Sequence, residues 1–125
     1  MVKNEGRPLR PERIHQAQGL FLAGVARRLP EARQNLTQLL KDRTDEEALS
    51  GLYHFAHTLK GSGEMVWLRE IAASAGEIVT ALTLVKSYGI RIDSGLAKFI
   101  REKMGLIEEQ VREGRRGAKE PSDLD

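Results

Sequence analysis

The heptapeptide His57-Thr58-Leu59-Lys60-Gly61-Ser62-Gly63 combines a nucleophilic side chain, a cation and bare backbone positions in one short stretch. On a helix, residues three positions apart are neighbours, so the imidazole of His57 and the ammonium group of Lys60 can contact the same ligand. Glycine in a helix interior costs about 1 kcal/mol relative to alanine. Gly61, one turn after His57, therefore predicts that a bulky partner group comes close to the backbone there.

The residues around this heptapeptide have the period of an amphipathic helix. Thr44 to Glu47 matches a capping box, with Thr44 as the predicted cap at the start of the helix. Its apolar positions are spaced three and four residues apart: Leu49, Leu52, Ala56, Leu59 and Gly63. On a helical wheel the opposite side is polar and carries His57, which is therefore expected to face solvent. Residues 63–67 are either a continuation of this helix or its exit turn.

A first helix is predicted from Pro11 onward, because proline suits the first helical turn. Its apolar stripe consists of Leu22, Val25, Leu29, Ala32, Leu36 and Leu39. Pro30 interrupts this stripe without shifting its phase, which predicts a helix that is either kinked or split near Pro30.

Two more helices are predicted after the central one. The first has the stripe Leu68, Ile71, Ala75, Ile78, Leu82 and Val85, and ends at Ser87-Tyr88-Gly89. The last is capped by Asp93, ends at Gly114, and has the stripe Leu96, Ile100, Met104, Ile107 and Val111. Four amphipathic segments with short connections predict an all-α, up-down-up-down four-helix bundle. We expect a flexible leader over 1–10, the bundle over 11–113, and a flexible tail or linker over 114–125.

Composition excludes several classes of function. A chain of 125 residues forms one domain and leaves no room for a separate nucleotide-binding domain. The absence of cysteine excludes disulfides and thiolate metal sites. There is no apolar run of membrane-spanning length and no signal-like leader, so a cytoplasmic protein without a membrane contact is expected. A net charge of +2 with one Trp, two Tyr and three Phe does not support nucleic-acid binding.

The pattern of His57 followed by Lys60 and Gly61 resembles that of histidine-containing phosphotransfer (HPt) domains. The pair Met65-Val66 is similar to the continuation found in the phosphotransfer module of chemotaxis-type histidine kinases. The resemblance implies a helical bundle in which His57 accepts a phosphoryl group, Lys60 stabilises its charge, and Gly61 lets the partner approach.

The resemblance also implies the partners. These are a cognate histidine kinase and a response-regulator receiver domain, whose aspartate gives or takes the phosphoryl group. The receiver is expected to supply Mg²⁺, so this chain needs no cofactor of its own and is a carrier, not an enzyme. It is either free-standing or a fragment of a larger kinase.

Two positions depart from the family pattern. The family usually has glycine at the tenth residue after the histidine, where this chain has Trp67. It often has Glu or Gln twenty-two residues after the histidine, where this chain has Val79. Because that polar residue orients the histidine ring from the neighbouring helix, we expect the ring of His57 to be held differently. Glu77 lies on another face and does not take this role.

The chemistry agrees with the resemblance. A neutral imidazole is a competent nucleophile near pH 7, since its ordinary pKa is about 6.5. Phosphoryl transfer depends mostly on positioning and on neutralising charge on the equatorial oxygens. Lys60 is spaced to neutralise that charge.

Other residues near the heptapeptide are predicted to bind the partner: His54, Ser62, Glu64, Met65 and Trp67. Trp67 is either an apolar anchor for the receiver or an ordinary packing residue. His54 and His57 are spaced so that they could share a metal ion, but no third ligand is evident and no metal site is predicted.

Two alternatives to the carrier function remain open. One is a helical interaction module that binds a receiver or another signalling partner without being phosphorylated, which the departures at Trp67 and Val79 favour. The other is a phosphatase with a histidine nucleophile. It is disfavoured because Glu64 is the only nearby acid or base.

Overall fold

The computed structural model describes the backbone of residues 11–124 and the side chains of residues 12–117. This part of the chain forms four α-helices and no strand: α1 Pro11–Lys41, α2 Glu46–Met65, α3 Arg69–Tyr88 and α4 Ser94–Leu124. Each helix packs against the next one, and α4 packs against α1. Short connections make the neighbours antiparallel. The predicted all-α four-helix bundle is confirmed, while the predicted leader 1–10 lies outside the described residues.

The apolar stripes of the four helices meet in one core. Every stripe position predicted in α1 is buried, as are most of those in the other helices. The predicted positions that are only half-buried lie near helix ends: Leu49, Leu68, Val85 and Leu96. Behind the polar face of α2, Leu52, Ala56 and Leu59 are fully buried. The core therefore fixes α2 along the stretch that carries His57.

Helix α1 is continuous across Pro30, so the split arrangement is not the one found. Proline inside a helix removes a backbone hydrogen bond and costs about 3 kcal/mol or more. Leu29 and Ala32, on either side of Pro30, are buried in the core. Their packing offsets this cost and keeps the helix in one piece.

Asp45, not the predicted Thr44, caps the start of α2. Its carboxylate accepts a hydrogen bond of 3.0 Å from the backbone N–H of Ala48. The Thr44 hydroxyl instead donates to Oδ1 of Asp42 over 2.6 Å, and the Thr44 backbone N–H donates to the same oxygen. Both bonds lower the pKa of Asp42, and the bond from the hydroxyl has the larger effect. The prediction of Thr44 as the cap was wrong because Asp42 binds its hydroxyl.

The C-terminal end of α3 and the start of α4 are as predicted, whereas Leu68, predicted inside the third helix, is its N-cap residue. Gly89 ends α3 in the left-handed conformation, with φ of 67°. Asp93 caps α4, since its Oδ1 accepts a hydrogen bond of 2.8 Å from the N–H of Leu96.

The predicted end of α4 at Gly114 was wrong, because the helix continues to Leu124. A Cβ atom at Gly114 would lie 2.8 Å from Cδ1 of Leu22. Gly114 is therefore a position where α4 closely approaches α1, and it does not stop the helix. The predicted domain limits at 113 and 114 stay a prediction. None of the helices described is long and apolar enough to cross a membrane.

Candidate functional site

His57 lies on the outer face of α2, and its side chain is exposed as predicted. The preceding residue, Ala56, and Leu59 are both fully buried. The helix therefore holds the imidazole outward from a fixed backbone. This arrangement leaves the ring nitrogens accessible to a large partner.

The imidazole of His57 is stacked on the ring of Tyr53, one turn earlier on α2. The ring centroids are 5.8 Å apart and the planes differ by 22°. From α3, the Nζ atom of Lys86 lies 4.5 Å from the centroid of the same tyrosine ring. Neither Tyr53 nor Lys86 was predicted as a site residue. The spacing of four residues between Tyr53 and His57 was the available signal, because such residues are neighbours on a helix.

Lys60 lies beside His57 at the seam between α2 and α3. A Cβ atom at Gly76 would be 3.5 Å from Cδ and 3.6 Å from Cε of Lys60, so the lysine stem lies along α3 at this glycine. Among the described side chains, no carboxylate lies within ion-pair distance of Lys60 or Lys86. The ammonium group of Lys60 is therefore available to an anionic ligand on this face, whereas that of Lys86 lies over the Tyr53 ring.

Gly61 and Gly63 have different environments although they are two residues apart. Gly63 is buried, and a Cβ atom there would lie 3.3 Å from Cβ of Ala72 at the start of α3. At Gly61, a Cβ atom would meet nothing within 4 Å. Packing inside the described bundle explains the glycine at Gly63 but not the one at Gly61.

The segment after Met65 is an exit turn, which settles the alternative left open by the sequence. The backbone N–H of Leu68 donates to the carbonyl of Gly63 over 2.9 Å. Gln18 of α1 donates from Nε2 to the carbonyl of Val66, also over 2.9 Å. Trp67, between Val66 and Leu68 in the chain, has a φ of 66°, in the left-handed region. That conformation accounts for the glycine that the family usually has here, since glycine adopts it without steric cost.

Trp67→Gly should be more stable than Trp67→Ala by about 1 kcal/mol. Both variants lose the indole, but only glycine removes the cost of a left-handed residue with a Cβ atom, which is roughly 1–2 kcal/mol. Urea unfolding of the two variants and the wild type measures the difference. Equal midpoints for the two variants would contradict the strain, and a wild type far more stable than both would favour a packing role for Trp67.

The predicted partner-binding residues do not all lie together. Met65 is 78% exposed and Trp67 is 55% exposed, next to each other at the end of α2. Glu64 is exposed near them, and Ser62 is half-buried. His54 lies apart, because it lines a small cavity with Arg28 and Asn35 of α1 among others, whereas Lys60 and the Tyr53 ring contact α3.

Metal-binding side chains do not converge in the described part of the chain. No group of three or more His, Asp or Glu residues is close enough there to hold an ion.

Glu77 pairs with Lys103 of α4, with 3.0 Å between Oε1 and Nζ, so its carboxylate is directed to the opposite side of α3. Val79 is half-buried against the core and offers no polar group to the ring of His57.

The described bundle thus presents an exposed histidine, with a lysine one turn later, on the second of its four antiparallel helices. The family model described as "Hpt domain" matches residues 16–114. The chain therefore belongs to the Hpt domain family, whose members take part in histidine phosphotransfer within phosphorelays. No curated protein and no solved structure matched the chain.

Proposed function

We propose that this protein is a phosphoryl carrier in a two-component phosphorelay and that His57 is its phosphoacceptor. The observation that carries the proposal is the exposure of His57 on a helix fixed by the core, within the segment that matches the Hpt domain family. A cognate histidine kinase and a response-regulator receiver domain are the proposed partners. The pair Met65-Val66 favours a setting like that of a chemotaxis-type kinase.

In the proposed transfer, the lone pair of an unprotonated ring nitrogen of His57 forms a bond to phosphorus. The bond between phosphorus and the receiver's aspartate oxygen breaks, and its electron pair stays on the carboxylate. The proton on the other ring nitrogen is released to solvent. Lys60 neutralises charge on the phosphoryl oxygens, and the receiver supplies Mg²⁺ and the remaining catalytic groups.

Met65 and Trp67 are the proposed apolar anchors for the receiver. They are adjacent, exposed and close to the exit turn, and aromatic side chains are enriched among residues that dominate binding energy. The left-handed φ of Trp67 supports this role, because backbone strain is retained most often at functional positions. Ser62 and Glu64 lie at the same end of α2 and would border the docked receiver. His54 would contact it only at the rim towards α1.

The proposal is tested by incubating the protein with phosphoramidate and measuring the intact mass before and after acid treatment. One acid-labile phosphoryl adduct is expected. No adduct on the folded protein, under conditions that label a known phosphotransfer domain, would overturn the carrier function and favour the interaction module that only binds its partner. Continuous release of inorganic phosphate without a receiver would instead indicate a phosphatase.

Gly61→Ala should stabilise the protein and slow its transfer with a receiver. Alanine gains about 0.5–1 kcal/mol over glycine in a helix interior, and the space around Gly61 is open. A new methyl group would, however, stand where the partner approaches the backbone. Thermal unfolding and the rate of phosphoryl transfer to a cognate receiver measure the two effects.

The matched control is Gly105→Ala on α4, where a Cβ atom also meets nothing within 4 Å. It should give a similar gain in stability with an unchanged transfer rate. Equal transfer rates for both variants would contradict a role for Gly61 in partner approach.

A further inference from the structure

We infer that Tyr53 is the positioning residue for His57 and that Lys86 secures Tyr53 from the neighbouring helix. The inference rests on the proposed function of His57 and names what holds its ring in place of the polar residue missing at Val79. Tyr53 does not touch the phosphoryl group in this arrangement. It acts by limiting the directions in which the imidazole nitrogens can face.

The contact between the two rings has the geometry of an attractive aromatic pair. Aromatic pairs favour centroid separations of about 4.5–7 Å with offset or tilted planes. The pair of Tyr53 and His57 has a separation of 5.8 Å and an interplanar angle of 22°. The stack therefore favours one orientation of the imidazole over its other rotamers.

Tyr53 itself is held on two sides, which lets it orient a neighbour. It is half-buried and packs against the hydrophobic core. The ammonium group of Lys86 lies 4.5 Å from its ring centroid, within the range of a cation–π contact. Because Lys86 belongs to α3, this contact links the Tyr53 ring on α2 to the neighbouring helix α3. The chain of contacts runs from α3 through Lys86 and Tyr53 to His57.

Neither a hydrogen bond nor a second aromatic contact fixes the imidazole in the described part of the chain. No described side chain forms a hydrogen bond with the ring of His57. Val79 stands twenty-two residues after His57, where similar domains often have Glu or Gln. The stack on Tyr53 is thus the one aromatic contact of the His57 ring among the described residues.

Ring orientation matters because transfer needs the nitrogen lone pair in line with the breaking bond. With phosphoramidate, the new bond joins a ring nitrogen to phosphorus while the bond from phosphorus to the amide nitrogen breaks. The nitrogen is already protonated in the phosphoramidate zwitterion, so it leaves with the electron pair as neutral ammonia, and the ring's other N–H proton is released to water. A ring that samples several rotamers presents its lone pair correctly for a smaller fraction of the time.

The test compares Tyr53→Leu with Tyr53→Phe in the full chain. Leucine keeps apolar contact with the core but removes the stack, whereas phenylalanine keeps the ring and removes only the hydroxyl. Tyr88→Leu is the matched control, since Tyr88 is 73% exposed at the end of α3. The readouts are the NMR shifts of the carbon-bound ring protons of His57, the rate of phosphoramidate uptake, and the melting temperature.

We expect Tyr53→Leu to remove the ring-current shift from the His57 protons and to slow uptake about two- to tenfold, the range that corresponds to aromatic pair attraction. Tyr53→Phe and Tyr88→Leu should retain both the shift and the rate. If Tyr53 had only a structural role, Tyr53→Leu would lower the melting temperature without slowing uptake by the folded protein.

Lys86→Met tests the second contact, with Lys98→Met on α4 as the control for loss of an exposed lysine. Lys86→Met should slow uptake less than Tyr53→Leu does, and it should have no further effect when Tyr53 is already leucine. Lys98→Met should have no effect.

The outcomes separate the two proposals. If the wild type accepts the phosphoryl group of phosphoramidate and Tyr53→Leu does so at the same rate, the positioning role is overturned and the carrier function stands. If the His57 protons show no ring-current shift in the wild type, the stack is absent and the positioning role is overturned. If the folded wild type takes up no phosphate, the carrier function fails and the positioning role fails with it.

Discussion

His57→Gln should abolish phosphoryl uptake and leave the bundle intact. Glutamine has no nucleophilic nitrogen, so the loss should be on the order of 10³-fold or more, as when the nucleophile of an enzyme is removed. Glutamine is also a good helix former, and exposed substitutions of this kind usually change stability by less than about 0.5 kcal/mol. Intact mass after incubation with phosphoramidate, together with a thermal melt, measures both effects.

The other two histidines provide the controls for this experiment. The chain has three histidines, and His15 and His54 are also exposed on helices. His15→Gln and His54→Gln should keep the adduct. An adduct that persists in His57→Gln and disappears in His54→Gln would assign the acceptor to the face between α1 and α2 instead.

Most of the fold could be predicted from the helical period of the apolar residues. The stripes in α1 and α4 could be predicted because core positions recur every three or four residues, and Ile100, Met104 and Ile107 follow this period. The errors lie at helix ends, where neighbouring residues compete for one role. Asp45 and Thr44 are both good caps, and only the position of Asp42 decided between them. Gly114 has the chemistry of a stop signal, and only the position of Leu22 across the bundle explains it otherwise.

The geometry of the candidate site was predictable where it depends on one helix. The exposure of His57 follows from the polar face of α2, and the stack on Tyr53 is local enough that its spacing could have revealed it. The contribution of Lys86 was not accessible, because it depends on the register of α3 against α2. The left-handed conformation of Trp67 was not predicted, because tryptophan rarely adopts it. The available signal was the glycine that similar domains usually have at this position.

Leu59→Ala should lower the free energy of unfolding by about 3–5 kcal/mol while changing the chemistry of the folded state little. Leu59 is fully buried directly behind the exposed face of α2, and large-to-small substitutions in a core cost this much through lost contacts and a cavity. A domain of this size has only about 5–15 kcal/mol of stability. Urea unfolding measures the loss, and phosphoramidate uptake well below the midpoint measures the activity of the folded fraction.

Leu20→Ala is the matched control, because Leu20 is 75% exposed on α1 and the same atoms are removed. It should change stability by less than about 0.5 kcal/mol. Leu59 fixes the helix from the core side and Tyr53 orients the ring from the outer side, so the two contributions should separate in the data. Tyr53→Leu should slow uptake with a small loss of stability. Leu59→Ala should lose much stability while the folded fraction takes up the phosphoryl group at a nearly unchanged rate. A Leu59→Ala variant that is as stable as Leu20→Ala would contradict the core described behind His57. One that is folded but takes up no phosphate would show that core packing also sets the orientation of the ring.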